Sequence, residues 1–204
     1  MSPINSPQPT DPLPSLLDEI ALCRLCAEVL PHPPRPVVIA DRRARILIAG
    51  QAPGRKVHES GIPWNDASGR RLREWLDVTP GQFYDPALFA IVPMGFCYPG
   101  KGRAGDLPPR PECRRTWHPR LLPALANIQL TLVIGQYARD YHLPQHRSET
   151  LSETVATWRT MAPAVFPLPH PSPRNQRWLA QHPWFAADLL PALRAEVRRI
   201  LRQG

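Results

Sequence analysis

The 204-residue chain contains no run of 18 or more apolar residues. That excludes an ordinary membrane-spanning helix. Its first residues, Met1-Ser2-Pro3-Ile4-Asn5, place no basic segment ahead of an apolar stretch, so no cleaved secretory signal is expected, and the expected location is cytoplasmic. Lysine is nearly missing, with Lys56 and Lys101 alone. Acidic residues are in deficit, 17 against 25 Lys and Arg, which leaves a net charge of +8. Cysteine is sparse at four residues, and without a secretion signal structural disulfides are disfavoured. No internal repeat and no clear second domain can be read.

What is present is an apolar share of 43%, enough for a buried core in one domain of this length. The 28 prolines are spread along the chain, as rigid loops would have them. The cations are almost all arginine, which binds phosphate bidentately and stacks on bases. A polyanionic partner is one explanation of that balance. A soluble basic protein from an arginine-rich proteome is the other.

The cysteines are Cys23 and Cys26 in a C-x2-C, then Cys97 and Cys113 with fifteen residues between them. The first pair is spaced for one metal centre, and the second could complete four thiolate ligands. Four thiolates hold either a structural zinc or an iron–sulfur cluster. Four buried, unligated thiols are the remaining reading.

Residues 1–12 are polar and Pro-rich and are expected to be a disordered tail, with residues 13–204 a single domain. Leu16, Leu17, Ile20, Leu22 and Leu25 have a loose helical spacing over 14–30, a helix that would carry the C-x2-C. Four short apolar runs read as buried strands: 45–49, 88–92, 130–134 and 164–168. Helices are predicted over 68–76, 111–126 and 175–202, the last broken near Pro183 and ending on a basic amphipathic face. Alternating strands and helices imply a three-layer α/β/α fold around a mainly parallel sheet. Ligands of such sheets sit beyond the carboxyl ends of the strands, so residues 51–64, 93–100, 136–141 and 170–175 are expected to ring the site.

Three of these segments carry chemistry. Gly50-Gln51-Ala52-Pro53-Gly54 leaves a strand as a tight turn, whose backbone N–H groups could hold an anion or a base carbonyl; an ordinary turn is the plainer reading. Trp64 could stack on a flat base or pack in the core. Asp66 stands just before a helix, as an N-cap, a general base or an electrostatic stabiliser. His170-Pro171-Ser172-Pro173-Arg174-Asn175 is braced by prolines that fix where His170 points. Arg174 is placed to contact phosphate, and Asn175 to cap the next helix.

In that order, Gly-x-Ala-Pro-Gly, Gly61-Ile62-Pro63-Trp64 and His170-Pro171-Ser172, together with the four cysteines, resemble the iron–sulfur branch of the uracil-DNA glycosylase superfamily, its families 4 and 5. Thr131–Ala138 is similar to the family's third strand and turn, and Pro173-Arg174-Asn175 to the single-strand-selective members. The resemblance spans about residues 20–190. It implies a monomeric base-excision enzyme that flips a damaged nucleotide out of single- or double-stranded DNA, associated with the nucleoid in a bacterium and not with a membrane. It implies that Cys23, Cys26, Cys97 and Cys113 ligate a [4Fe-4S] cluster. Gln51 and Ala52 would orient the base or water, Trp64 would stack on the base, and His170 would stabilise charge on it. Ser172, Arg174 and Asn175 would contact DNA. A carboxylate would stabilise the oxocarbenium-like sugar and orient the water.

Two departures bear on this. The acid of family 4 stands where this chain has Gln51; family 5 carries it in a Gly-Asp-x-Ser-Gly segment, which Asn65-Asp66-Ala67-Ser68-Gly69 resembles, so Asp66 is the expected acid. The Asn that reads uracil four residues before the third cysteine is Pro93 here, which has no amide. The base-binding position is therefore altered, and hypoxanthine, xanthine or another modified base becomes a possible substrate beside uracil. The segment 98–112 contains no His, against the covalently trapping members. A non-catalytic nucleic-acid-binding module on the same fold is the alternative function.

Overall fold

The structure, a computed structural model, describes residues 12–103 and 105–203. The expected tail lies outside these residues except for Pro12, which opens the first helix. Along the chain run α1 (Pro12–Ala21), β1 (Ile46–Ala49), α2 (Arg55–Ser60), α3 (Ala67–Leu76), α4 (Pro80–Phe83), β2 (Phe89–Ile91) and α5 (Pro111–Leu121). Then come β3 (Leu130–Ile134), α6 (Gln136–His142), α7 (Leu151–Ala156), β4 (Val165–Leu168), α8 (Gln176–Gln181) and α9 (Leu190–Leu201), with a π-turn over Phe185–Leu189 leading into α9.

The four strands form one parallel sheet in the order β2-β1-β3-β4. Every residue of β1 is buried, because the sheet is covered on both faces, as an all-parallel sheet requires. Ile46 and Ile48 face the layer of α3, α7 and α9, where they share a core with Leu72, Val155 and Val197. Leu47 faces the opposite layer of α1 and α5, among Leu16, Ile20, Trp117 and Leu121. Ala49 and Val133 meet Ala138 of α6 on that second side. This period-two alternation in a run with no polar residue makes the three-layer α/β/α arrangement.

Three local expectations are corrected. The first helix stops at Ala21, and Cys23 and Cys26 lie on the turns that follow, held by bonds such as Cys23 N–H to the Ile20 carbonyl at 3.0 Å. Leu22 and Leu25 are 75% and 60% exposed, so the spacing beyond Ile20 has no packing behind it, and an apolar stripe with nothing to bury against does not hold a helix. The 111–126 helix ends at Leu121 and passes into a 3₁₀ turn at Leu122–Ala124, where Pro123 lacks the N–H to continue. The segment 136–141 forms most of α6 and packs on the sheet.

The basic end of α9 serves the fold. Arg194 donates to the carbonyls of Trp75 and Glu74 at 3.1 and 3.0 Å, capping the C-terminus of α3, where a cation suits the helix dipole. Arg198 and Arg199 pair with Asp77 and Glu196.

Candidate active site

β1 lies at the switch point of the sheet, since the chain passes from it to β2 on one side and then crosses back to β3 on the other. Open parallel sheets bind ligands beyond such a point. A cleft of about 490 Å³ opens there, within the usual range for small-molecule sites. Its floor is the turn after β1, with Gln51, Ala52 and Pro53, and the start of the segment after β2, with Pro93. These two are tied together: Met94 N–H donates to the Gly50 carbonyl at 2.8 Å and Gly95 N–H to the Gln51 carbonyl at 3.0 Å. Trp64 and Asp66 form one wall. His170, Ser172 and Arg174, following β4, form another. The segment 136–141 is not among the lining residues. Its helix packs beneath β3, so of the four segments expected to ring the site three do.

Trp64 both packs and lines. Its ring is half-buried against the core and lies 5.7 Å from the His170 ring, tilted by 31°. The backbone holds it in the left-handed region, φ 56°, costly for a bulky residue. Gly69 permits this conformation, for a Cβ there would overlap the Trp64 carbonyl. Arg73 donates to the same carbonyl at 3.3 Å.

Asp66 is the N-cap of α3, its Oδ1 accepting the Gly69 N–H at 2.8 Å. It also lines the cleft, so the cap and site readings are compatible. The cap fixes the carboxylate at a helix N-terminus, where negative charge is favoured.

His170 stands on a loop anchored at both ends. Asn175 Nδ2 donates to the His170 carbonyl at 2.7 Å, and Arg71 donates to the Ser172 carbonyl at 3.0 Å. Asn175 makes no side-chain cap on α8. Its amide is turned back to brace His170, which corrects the capping role. Ser172 Oγ accepts the Arg174 N–H at 3.2 Å. Burial pushes the His170 imidazole below its ordinary pKa, while Asp66 and Asp106 pull the other way. The net effect favours neutral imidazole near neutral pH.

Pro93 is buried on the cleft floor, and its carbonyl receives a hydrogen bond from the buried His118. Gln51 lines the cleft, and its Nε2 donates to the Leu107 carbonyl at 3.4 Å. Residues 100–103 and 105–107 pair as the two arms of a hairpin and supply three lining residues that the sequence did not single out: Lys101, Gly105 and Asp106. A Gly-Asp pair in a Gly-rich loop was the available signal, but the register that sets Asp106 on the cleft depends on the Lys101–Asp106 bridge. Lys101 and Arg174 are exposed, so cations flank the mouth.

The four cysteines are free thiols that line one separate pocket with Leu25, Phe96, Arg110 and Trp117. Burial, reinforced by the neighbouring sulfurs, pushes Cys97 up to about 11 and Cys113 up to about 12. Cys113 Sγ accepts the Phe96 N–H at 3.3 Å. Among the described residues no group of three or more His, Cys, Asp or Glu is arranged to hold a metal ion. The donor chemistry nonetheless fits a thiolate-held group: four cysteines line one largely apolar pocket, and a backbone N–H donates to the sulfur of one of them. Segment 93–98 joins the two places, Pro93 lining the cleft and Phe96 and Cys97 the cysteine pocket.

The family model of the Uracil DNA glycosylase superfamily matches residues 36–194 of the chain. The match contains every cleft residue named above, with Cys97 and Cys113; Cys23 and Cys26 precede it.

Proposed function

Because the chain belongs to the uracil-DNA glycosylase superfamily, we propose that it is a monofunctional DNA glycosylase of the iron–sulfur branch, hydrolysing the bond between deoxyribose and a deaminated or modified base. One observation carries this reading: an aromatic ring, a histidine kept neutral by burial and a fixed carboxylate meet in one cleft at the strand ends. Those are the groups needed to grip a flipped base, hold its developing charge and stabilise a sugar cation.

Trp64 stacks on the base, and the Gln51–Ala52 turn orients the base or the water. The neutral imidazole of His170 donates a hydrogen bond to the base oxygen as charge moves onto the leaving base. The Asp66 carboxylate, fixed by its cap, stabilises the oxocarbenium-like sugar. Arg174, with Ser172 and Asn175 behind it, meets the DNA backbone as a monomer docks on single- or double-stranded DNA. Pro93 offers no amide to read uracil, so specificity rests on shape and on backbone groups, which leaves room for hypoxanthine or xanthine. Cys23, Cys26, Cys97 and Cys113 hold a [4Fe-4S] cluster, whose role is structural: it binds the chain after α1 to the ends of the 97–113 segment. Structural zinc is the alternative occupant of the same thiolates.

The test is excision. Labelled oligonucleotides carrying uracil, hypoxanthine or xanthine, single- and double-stranded, are incubated with the protein and then treated with alkali. Alkali-dependent cleavage at one of these bases is the expected result. Cleavage before alkali would make the enzyme a lyase and bring Lys101 into the chemistry. No cleavage of any probe, with DNA binding retained, would favour a binding module, for which the neutral Gln51 is the specific argument.

A further inference from the structure

We propose that Asp106 is a second catalytic carboxylate of this cleft, the group that takes the proton from the attacking water. The inference rests on the glycosylase reading and assigns the work left open by Gln51. A glutamine amide cannot accept that proton, and here it is turned toward the Leu107 carbonyl. The same hairpin brings an acid to that turn. Gly102 N–H donates to the Gly105 carbonyl at 2.6 Å, Leu107 N–H donates to the Gly100 carbonyl at 2.8 Å, and Lys101 and Asp106 pair across the hairpin. The Asp106 carboxylate is thereby set over the first turn, with Oδ2 3.5 Å from where a Cβ on Gly54 would stand. Its other oxygen faces the Tyr98 hydroxyl at 3.5 Å.

The two acids differ in what else they do. One Asp66 oxygen is committed to the Gly69 N–H at a helix N-terminus, which suits a permanent anion beside the sugar cation. Asp106 lies on no helix, is exposed and lines the cleft, where water arrives. His170 lies within the field of both. The step balances with these groups. The water oxygen bonds to C1′ as the C1′–N bond breaks, and the electron pair of that bond leaves with the base. The water proton passes to the Asp106 carboxylate, while the His170 N–H holds the base anion until solvent protonates it.

Around Asp106 stand Tyr98, whose hydroxyl faces it, Lys101, its backbone partner across the hairpin, Arg174, which lies beside Gly105, and His170, which feels its charge. The test compares wild type, Asp106→Asn, Asp106→Glu and Asp66→Asn in the full chain, under single-turnover conditions, on the uracil, hypoxanthine and xanthine oligonucleotides, across the pH range of activity. Asp106→Asn should slow excision by about 10²–10⁴-fold with affinity for the DNA and thermal stability kept. Asp106→Glu, which restores a proton acceptor at this position, should recover part of the rate, whereas Asp66→Asn should be slow with Asp106 intact. An active wild type with Asp106→Asn within about threefold of it, or an Asp106→Asn whose loss lies in DNA affinity or folding with the single-turnover rate kept, overturns the proposal. A wild type that excises none of the probes overturns the glycosylase reading itself, and this proposal with it, before any variant is compared.

Discussion

The Nε2 of His118 lies 3.0 Å from the carbonyl oxygen of Pro93. A carbonyl only accepts, so this nitrogen carries the proton. The imidazole is completely buried, lies parallel to Phe96 at 5.6 Å and meets Tyr141 edge-on at 5.1 Å. It props the cleft floor from behind, at Pro93.

That burial pushes the His118 pKa down to about 4. The unfolded chain therefore takes up this proton first as pH falls, and stability contributed by neutral His118 is lost from about pH 6.5 down to about 4. The expected loss is about 3 kcal/mol for this group. Urea unfolding at steps across that window should show it, and His118→Gln, which keeps a donor for the Pro93 carbonyl, should flatten the slope. An equal slope in the variant would assign the acid sensitivity to other groups, of which His142, also lowered to about 4, is the first to examine.

Asp66→Asn separates the two duties of that residue. Asparagine caps a helix about as well as aspartate, so the melting temperature should hardly change. The negative charge is lost, so excision should fall by about 10²–10³-fold while DNA binding is largely kept. Single-turnover rates beside a binding titration decide it; unchanged excision would leave Asp66 as a cap alone.

Gly69→Ala tests the backbone under Trp64. The added methyl would overlap the Trp64 carbonyl, so either α3 or the Trp64 turn must move. A loss of more than about 3 kcal/mol in denaturant unfolding is expected, with altered Trp64 fluorescence and lower excision. A stable variant with normal activity would show that this turn yields easily.

Cys23→Ala tests the cysteine pocket. If the thiolates hold a cluster, the wild type should be brown, with iron and sulfide bound. The variant should lose that colour and melt lower by about 5–10 °C, corresponding to about 2–3 kcal/mol in a chain of this size. A colourless wild type carrying zinc would replace iron by structural zinc. A variant with unchanged melting would remove the structural role.

Part of the fold was legible because burial on both faces leaves an unmistakable pattern. Ile46–Ala49 is a continuous apolar run and Leu130–Ile134 is one broken only by Thr131, each followed by a glycine, and repeated runs of this kind are the mark of a covered parallel sheet. The short helices were less legible. α4 and α7 span 4 and 6 residues, too few for periodicity, yet Thr79–Gln82 and Thr150–Glu153 are complete capping boxes, a signal that the sequence carried. The helix drawn through Leu22 and Leu25 followed spacing alone, and spacing cannot say whether a partner surface exists.

By itself the sequence determined the parallel α/β layering, the order of the turn, Trp64–Asp66 and His170 segments, and the grouping of the cysteines, because local composition and spacing carry each of these. Only the tertiary structure decided that α6 leaves the site, that Asn175 turns back to His170, that His118 supports Pro93, and that Asp106 faces the turn bearing Gln51. Each joins groups distant along the chain or depends on which way a loop turns. Their contact is set by packing and hairpin register, which no window of sequence contains.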